Sequence, residues 1–329
     1  LIDEPERAGR GTALSIPRPG LGKHGALTAF RAGALVARAL PETATLGLAR
    51  FAGPVAGAMA EGRRHQVERN LLRIHGPEFR GRRLRQVVSA TFSSYARYWA
   101  ESLRLPRVRP AELDARFSND GFRHIQQARE AGHGAILALP HLGAWEWAGF
   151  WLTAVSDIPL TVVVEPLDPP EVFDWFVQLR QSLGMRVVPL GPNAGTEVMR
   201  ALKRNEVVAL LCDRDLTGGG VPVDFFGERT TLPAGPATLA LRTGAALLPT
   251  AVYYQGWSSL LSPVADHHAR VGSPLAVERQ GRLRDDVNRL TGDLARELER
   301  LIRIAPEQWH MLQPNWPSDP GWPHGAVPD

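Results

Sequence analysis

The pattern of hydrophobic and polar positions changes texture near residue 110. Before it, long stretches of small apolar residues are interrupted by single arginines. Ala26 to Leu40 carries no charge except Arg31 and Arg38, which lie seven residues apart and so share one helical face. Thr43 to Ala60 carries none except Arg50. Neither stretch reads as a membrane span. Arginine interrupts both, Gly47, Gly53, Pro54 and Gly57 are expected to break the second, and a span needs about 20 apolar residues. The pattern predicts amphipathic helices.

After residue 110, short runs rich in β-branched and other apolar residues alternate with helical patterns. The runs are 134 to 140, 159 to 165, 185 to 191, 206 to 213 and 245 to 254. Their hydrophobicity is continuous rather than alternating, which predicts strands buried on both faces of a mostly parallel sheet. One helix is predicted from Pro169 and Pro170 to Gly184, with Val172, Trp175, Phe176, Leu179 and Leu183 on one face. Others are predicted at Thr196 to Arg204, Pro236 to Thr243 and Arg282 to Ile304. The fold class is therefore α/β: a mostly parallel central sheet flanked by helices, with an N-terminal amphipathic helical region. Residues 1–110 form that region, 111–317 the α/β core and 318–329 a Pro-rich tail, within one compact domain overall. The residues from Pro314 onward read as an irregular strap or as disordered.

Charge adds a direction to this picture. Residues 1–110 hold 19 Arg and Lys against 8 Asp and Glu, whereas the remainder holds 19 against 26. Such asymmetry points to a polyanion facing the N-terminal region. No nucleic-acid recognition module or row of stacking aromatics accompanies the basic residues, so nucleic acid is not expected. An anionic membrane surface fits better, with Arg63, Arg64, Arg69, Arg73, Arg80, Arg82, Arg83 and Arg85 reaching lipid phosphates. The alternative is a helical subdomain whose apolar faces pack on the core. The N-terminus, with acids as well as Arg and no apolar run, is not expected to act as a secretory signal. The single cysteine, Cys212, excludes an intramolecular disulfide and any Cys-based zinc cluster, consistent with a reducing compartment.

Ligands of parallel α/β sheets bind beyond the carboxyl ends of the strands. The polar residues there are His141, Glu165, Asp213, Arg214 and Asp215. A further acid, Glu146, stands among Trp145, Trp147, Phe150 and Trp151. A carboxylate in such surroundings needs a partner or a shifted pKa. Residues five apart do not share a face of an unbroken helix. Pro140 and Gly143, however, allow His141 to sit in a strand-to-helix turn with Glu146 in the first helical turn. Glu146 would then orient His141 as a general base, and the alternative is that Glu146 merely caps the helix. Cys212 reads as an inert core residue. His267 and His268 point to opposite sides of a strand and make a poor metal pair, and no metal site is expected. Gly218, Gly219 and Gly220 lack the Lys-Ser/Thr ending of a phosphate-binding loop and read as a turn. Trp145, Trp147 and Trp151 either line an apolar channel or pack.

The stretch "PHLGAWEWAG" resembles the His-four-residues-acid motif of the bacterial lipid acyltransferases that include the lipid A late acyltransferases. Two further blocks, "CDRDLTGGGVPVDFFGERTTLPAGPATLALRTGAALLP" and "PEQWHMLQPNWP", resemble the actinobacterial branch of phosphatidylinositol mannoside acyltransferases. The resemblance runs from about Ala26 to Pro317. It implies transfer of a fatty acyl group from acyl-CoA, a substrate rather than a cofactor, to a sugar hydroxyl of a membrane glycolipid. The protein would then be peripheral at the cytoplasmic face of the plasma membrane. By the same resemblance His141 is the base and Glu146 its partner, without an acyl-enzyme. Glu165 and Arg180 line the donor or acceptor site, with Arg180 suited to a CoA phosphate. Asp213, Arg214 and Asp215 contribute to the acceptor pocket, with Asp213 and Asp215 as alternatives. Transfer to another glycolipid, such as a lipid A precursor, and a non-catalytic lipid-binding role are the competing readings.

Overall fold

The computed structural model describes residues 23–166, 169–255, 266–325 and 327. Four helices come first: α1 (Lys23–Ala39), α2 (Glu42–Met59), α3 (Glu61–His75) and α4 (Gly81–Arg104). There follow α5 (Pro110–Ala115), β1 (Phe117–Asp120), α6 (Phe122–Glu130), β2 (Ala135–Leu139), α7 (Trp145–Ala154), β3 (Leu160–Val164), α8 (Pro170–Ser182), β4 (Arg186–Pro189), α9 (Ala194–Lys203) and β5 (Val207–Leu211). The chain continues through β6 (Val221–Phe225), β7 (Glu228–Leu232), α10 (Gly235–Thr243), β8 (Ala246–Tyr254), β9 (His267–Val271) and α11 (Leu283–Ile302).

Among the described residues, seven strands form one sheet in the order β1-β9-β8-β2-β5-β3-β4, and only the β8–β9 pair is antiparallel. The continuous apolar runs thus form a mostly parallel sheet covered on both sides. In β2, Ile136 and Ala138 face a core built with α9, α10 and α11, while Ala135, Leu137 and Leu139 face one built with α5, α6 and α7. Two features are not announced by the hydrophobic pattern. The edge strand β1 reads Phe-Ser-Asn-Asp, too polar and short to stand out. The separate β6–β7 hairpin is closed by Phe226 and Gly227, both at positive φ.

The N-terminal helices correct one expectation. Helix α2 runs unbroken through Gly47, Gly53, Pro54 and Gly57. Gly53 and Gly57 face α4, where an added Cβ would stand 2.4 Å from the Phe92 carbonyl oxygen and 2.5 Å from the Phe92 ring. They are the positions of closest approach rather than breaks. Pro54 brings no N–H to the Arg50 carbonyl one turn earlier, and the Ser93 hydroxyl of α4 donates to that carbonyl at 3.2 Å. No helix among the described residues is long and apolar enough to cross a membrane. Leu48, Phe51, Val55 and Met59 nevertheless lie exposed along one side of α2, and Leu35, Val36 and Leu40 of α1 and the loop after it are exposed as well.

Of the basic residues, Arg31, Arg69, Arg80, Arg82, Arg83 and Arg85 are exposed, and Arg63 and Arg64 are half-buried. Arg73 is not free to reach a lipid phosphate: it pairs with Glu228 at 2.7 Å and Asp319 at 2.8 Å and lies over the Trp316 ring. The Pro-rich segment around it is an ordered strap, with Trp316, Asn315 and Asp319 buried.

The α2–α4 contact yields a direct check. Gly53→Ala is expected to cost about 1–3 kcal/mol, because backbone rather than a flexible side chain opposes the new methyl. Gly47→Ala meets nothing within 4 Å and is expected to stabilise by about 0.5–1 kcal/mol. Denaturant unfolding of the two variants reads the difference, and equal stabilities would refute the close approach.

Candidate active site

The register of the central strands builds the site. β2 and β5 are parallel neighbours with Leu139 opposite Leu211. His141 and Asp213 each follow two residues later, so the two side chains emerge together at the carboxyl edge of the sheet. His141 Nδ1 lies 2.6 Å from Asp213 Oδ1, and Nδ1–H donates because an ionised carboxylate only accepts. Asp213 Oδ2 accepts from the His141 main-chain N–H at 2.9 Å and from Trp309 Nε1 at 2.7 Å. Asp213 is fully buried. Burial opposes its charge, but the His141 charge and these hydrogen bonds outweigh it and hold the carboxyl below its ordinary pKa. With Nδ1 engaged, Nε2 is the nitrogen of His141 left to exchange a proton. Gly143, at φ +64, lets the chain turn: an added Cβ would meet the Val252 carbonyl oxygen at 1.9 Å.

Glu146 does not orient His141, and among the described residues no hydrogen bond joins them. Glu146 lies at the second position of α7, beyond the turn that holds His141. Its carboxylate accepts from Arg180 Nε of α8 at 3.0 Å, from Arg180 Nη2, and from the Tyr98 hydroxyl of α4 at 3.3 Å. The opposite charge a buried carboxylate needs comes from Arg180. Arg180 is therefore neither solvent-facing nor a free cation for phosphate. Burial lowers its pKa and the Glu146 charge more than restores it, leaving the guanidinium charged. Burial and the Glu146 charge push the Tyr98 hydroxyl well up, so it remains a donor.

The other strand-end residues divide by role. Arg214 donates to Glu165 at 2.8 Å, and both line the cavity described below. Asp215 accepts from the main-chain N–H groups of Thr217, Gly218 and Gly220 at 2.9, 3.1 and 2.8 Å and from the Thr231 hydroxyl at 3.0 Å. It ties the glycine turn to the β6–β7 hairpin and lines the cavity described below, so of the two alternatives Asp215 borders the cavity, whereas Asp213 is buried behind His141. Cys212 is buried, and burial, with Asp213 beside it, pushes its thiol pKa well up and leaves it a poor nucleophile. His267 bonds Glu101 at 2.8 Å and stacks on Trp147, while His268 points the other way to Ser118 at 2.9 Å.

A cavity of about 650 Å³ opens onto His141. Apolar and aromatic side chains dominate its lining, among them Phe92, Trp99, Trp145, Phe176, Leu210 and Leu239, with Glu165, Arg180, Arg214 and His310 as polar groups. Gly53 and Ala56 bring α2 itself to the wall, with Ala60 just after it. Trp145 lines this cavity, Trp151 a smaller one of about 80 Å³ under α7, and Trp147 packs. His310 is buried, bonded to Ser94 at 2.9 Å, and pushed down to about 3 by burial and by His141, so it is neutral at neutral pH. Tyr98, Trp309, His310 and Asn315 are functional neighbours that strand-end reasoning misses. Equal two-residue offsets beyond two pairing strands are the signal that points to Asp213.

The chain is 37% identical over 301 residues to a phosphatidylinositol mannoside acyltransferase of Mycolicibacterium smegmatis, covering 88% of this chain and 91% of that one. It is 37% identical over 312 residues to the protein of the same name from Mycobacterium tuberculosis, covering 88% of each. Among solved structures, a 1-acyl-sn-glycerophosphate acyltransferase of Thermotoga maritima matches with TM-score 0.34 and 14% identity over 66% of this chain and 87% of that one. Residues 25–318 match the family described as bacterial lipid A biosynthesis acyltransferase, and the chain belongs to that family.

Proposed function

We propose that this protein moves a fatty acyl group from acyl-CoA to a mannose hydroxyl of a phosphatidylinositol mannoside at a membrane surface. The observation that carries this reading is an imidazole with Nδ1 fixed on a buried carboxylate and Nε2 available, beside a largely apolar cavity. The names of the mycobacterial relatives supply the acceptor class.

In this reaction His141 Nε2 takes the proton of the acceptor hydroxyl as its oxygen attacks the thioester carbonyl. The tetrahedral intermediate collapses by breaking the carbon–sulfur bond, and the imidazolium returns the proton to the departing CoA thiolate. Asp213 stays ionised throughout and stabilises the imidazolium. A thioester is already activated, so no acyl-enzyme is required, in keeping with the buried Cys212. Glu146 and Arg180 act as a neutralised pair in the wall, and Glu165 with Arg214 offers hydrogen-bonding groups to a sugar. The donor, acyl-CoA, places the reaction at the cytoplasmic face. The exposed apolar side of α2 and the arginines of α1 and α4 hold the protein peripherally on anionic lipid.

Asp213→Asn is expected to lower kcat by about 10²–10⁴-fold with the fold retained. An amide that donates to Nδ1 favours the tautomer whose Nε2 already carries a proton. Removing the carboxylate also makes the imidazole less basic, so the rising limb of kcat against pH moves to lower pH. His141→Ala is expected to lose at least as much, while acyl-CoA binding persists. Kinetics against pH, with circular dichroism as the folding check, read both, and a folded His141→Ala enzyme of near-normal kcat would end the base assignment.

The surface reading has its own test. Co-sedimentation is expected to be stronger with anionic than neutral vesicles and to fall at high salt, where the screening length shortens to about 3 Å at 1 M. Replacing both Phe51 and Met59 with Ser is expected to remove the salt-resistant fraction. Equal binding to both vesicle types would refute the electrostatic part.

A further inference from the structure

One stretch of chain, about a hundred residues beyond Asp213 in sequence, grips both members of the His141–Asp213 pair. Trp309 Nε1 donates to Asp213 Oδ2 at 2.7 Å, and Asn315 Nδ2 donates to the Asp213 main-chain oxygen at 2.9 Å. The His310 N–H donates to the His141 main-chain oxygen at 2.7 Å, and Leu142 bridges to Trp309 in antiparallel fashion. Consecutive residues therefore hold the carboxylate and the imidazole-bearing backbone.

This stretch is itself anchored. Asn70 Nδ2 of α3 donates to the Met311 main-chain oxygen at 2.8 Å. Asp319 accepts from the Asn315 N–H at 2.9 Å, from Gln66 Nε2 at 2.7 Å and from Arg73 at 2.8 Å. The Trp309 ring is buried against Phe225, Phe226 and Trp316. An indole N–H fixed this firmly restrains rotation of the carboxyl group that receives it.

We propose that the strap from Trp309 to Asn315 positions the His141–Asp213 pair, and that the Trp309 indole N–H, by occupying Asp213 Oδ2, limits how strongly Asp213 pulls on His141. The proposal rests on the reading of His141 as the base. A carboxylate shared among donors is a weaker acceptor for each of them. Deleting the indole donor concentrates charge on the oxygen facing Nδ1–H, stabilises the imidazolium and loosens the carboxyl rotation at once. His141 then binds its proton more tightly and meets its substrate less well aligned. The other charged and titratable groups around the site are Cys212, His310, Tyr95 and Tyr98, Arg63, Asp215, the Glu165–Arg214 pair and the Glu146–Arg180 pair. The substitution below alters none of them.

The test replaces Trp309 by 3-benzothienylalanine, which keeps the ring shape and puts sulfur in place of the N–H. His141 is titrated by NMR of a histidine-labelled sample, and kcat and KM are measured against pH. The expected result is that the His141 midpoint and the rising limb of kcat both move to higher pH by up to about one unit. The maximal kcat falls several-fold and KM stays within about two-fold, as for an interaction felt only in the transition state. Phe225→Leu, which disturbs the same packing without touching Asp213, is expected to lower the melting temperature and leave the midpoint in place. Trp309→Phe is expected to repeat the shift of the isostere on top of that packing loss. An unmoved midpoint in the isostere, or an equal shift in Phe225→Leu, would overturn the proposal. The NMR midpoint is read without turnover, so loss of the base assignment itself, shown by an active His141→Ala enzyme, is a separate outcome.

Discussion

The site depends on keeping one carboxylate charged with none of its surface in water. Asp213 has no exposed surface, and an ionised carboxylate so placed is tolerated only when its lone pairs are used. Three donors use them: the His141 ring, the His141 main chain and the Trp309 indole. They come from two places that the fold must bring to Asp213 separately, the turn after β2 and the C-terminal strap. Strands β2 and β5 must pair in one register, Gly143 must turn the chain, and the C-terminal strap must return across the sheet edge. The strap in turn is held by Gln66, Asn70 and Arg73 of α3. The need to satisfy one buried charge thus reaches from the middle of the sheet to the N-terminal helices.

Those helices join the surface to the chemistry through a second constraint, close approach. Gly53 and Gly57 let α2 lie against Phe92 of α4, and the Ser93 hydroxyl donates to the Arg50 carbonyl that Pro54 leaves without its helical donor. The opposite side of α2 is then left carrying Phe51 and Met59 in the open, 66% and 84% exposed, while Gly53 and Ala56 form cavity wall. Apolar surface of this extent on a single helix asks for an apolar environment. One helix thereby borders both the exposed apolar face and the space beside His141, which suits substrates that arrive from a bilayer.

Much of this was legible in the sequence where the signal is local or periodic. Continuous apolar runs such as Ala135 to Leu139 and Val207 to Leu211 mark buried parallel strands, and polar residues just beyond them mark the site. The polar edge strand at Phe117 and the hairpin closed by Phe226 and Gly227 lack such periodicity and were not readable. Nearness in sequence and isolation among aromatics suggest Glu146 as the partner of His141. The actual partner of Glu146, Arg180, lies on a helix whose packing no local pattern specifies. Asp213 is joined to His141 by strand register, a long-range property that only equal offsets beyond Leu139 and Leu211 could have suggested. Arg73 looked like one more surface cation, since Glu228 and Asp319 approach it only in the folded chain. The grip of Trp309 and Asn315 shows in no periodicity, and the sequence marks that stretch only through the family resemblance of "PEQWHMLQPNWP".

The central claim is that a thioester acyl group passes directly to a sugar hydroxyl through His141. It is tested most directly by incubating the purified protein with acyl-CoA and phosphatidylinositol mannoside in anionic vesicles and following the lipids by mass spectrometry. The account expects a glycolipid heavier by one acyl chain on mannose, formed in step with free CoA. Folded, vesicle-bound protein that leaves both substrates unconsumed, or that releases CoA and free fatty acid without acylated glycolipid, would contradict it.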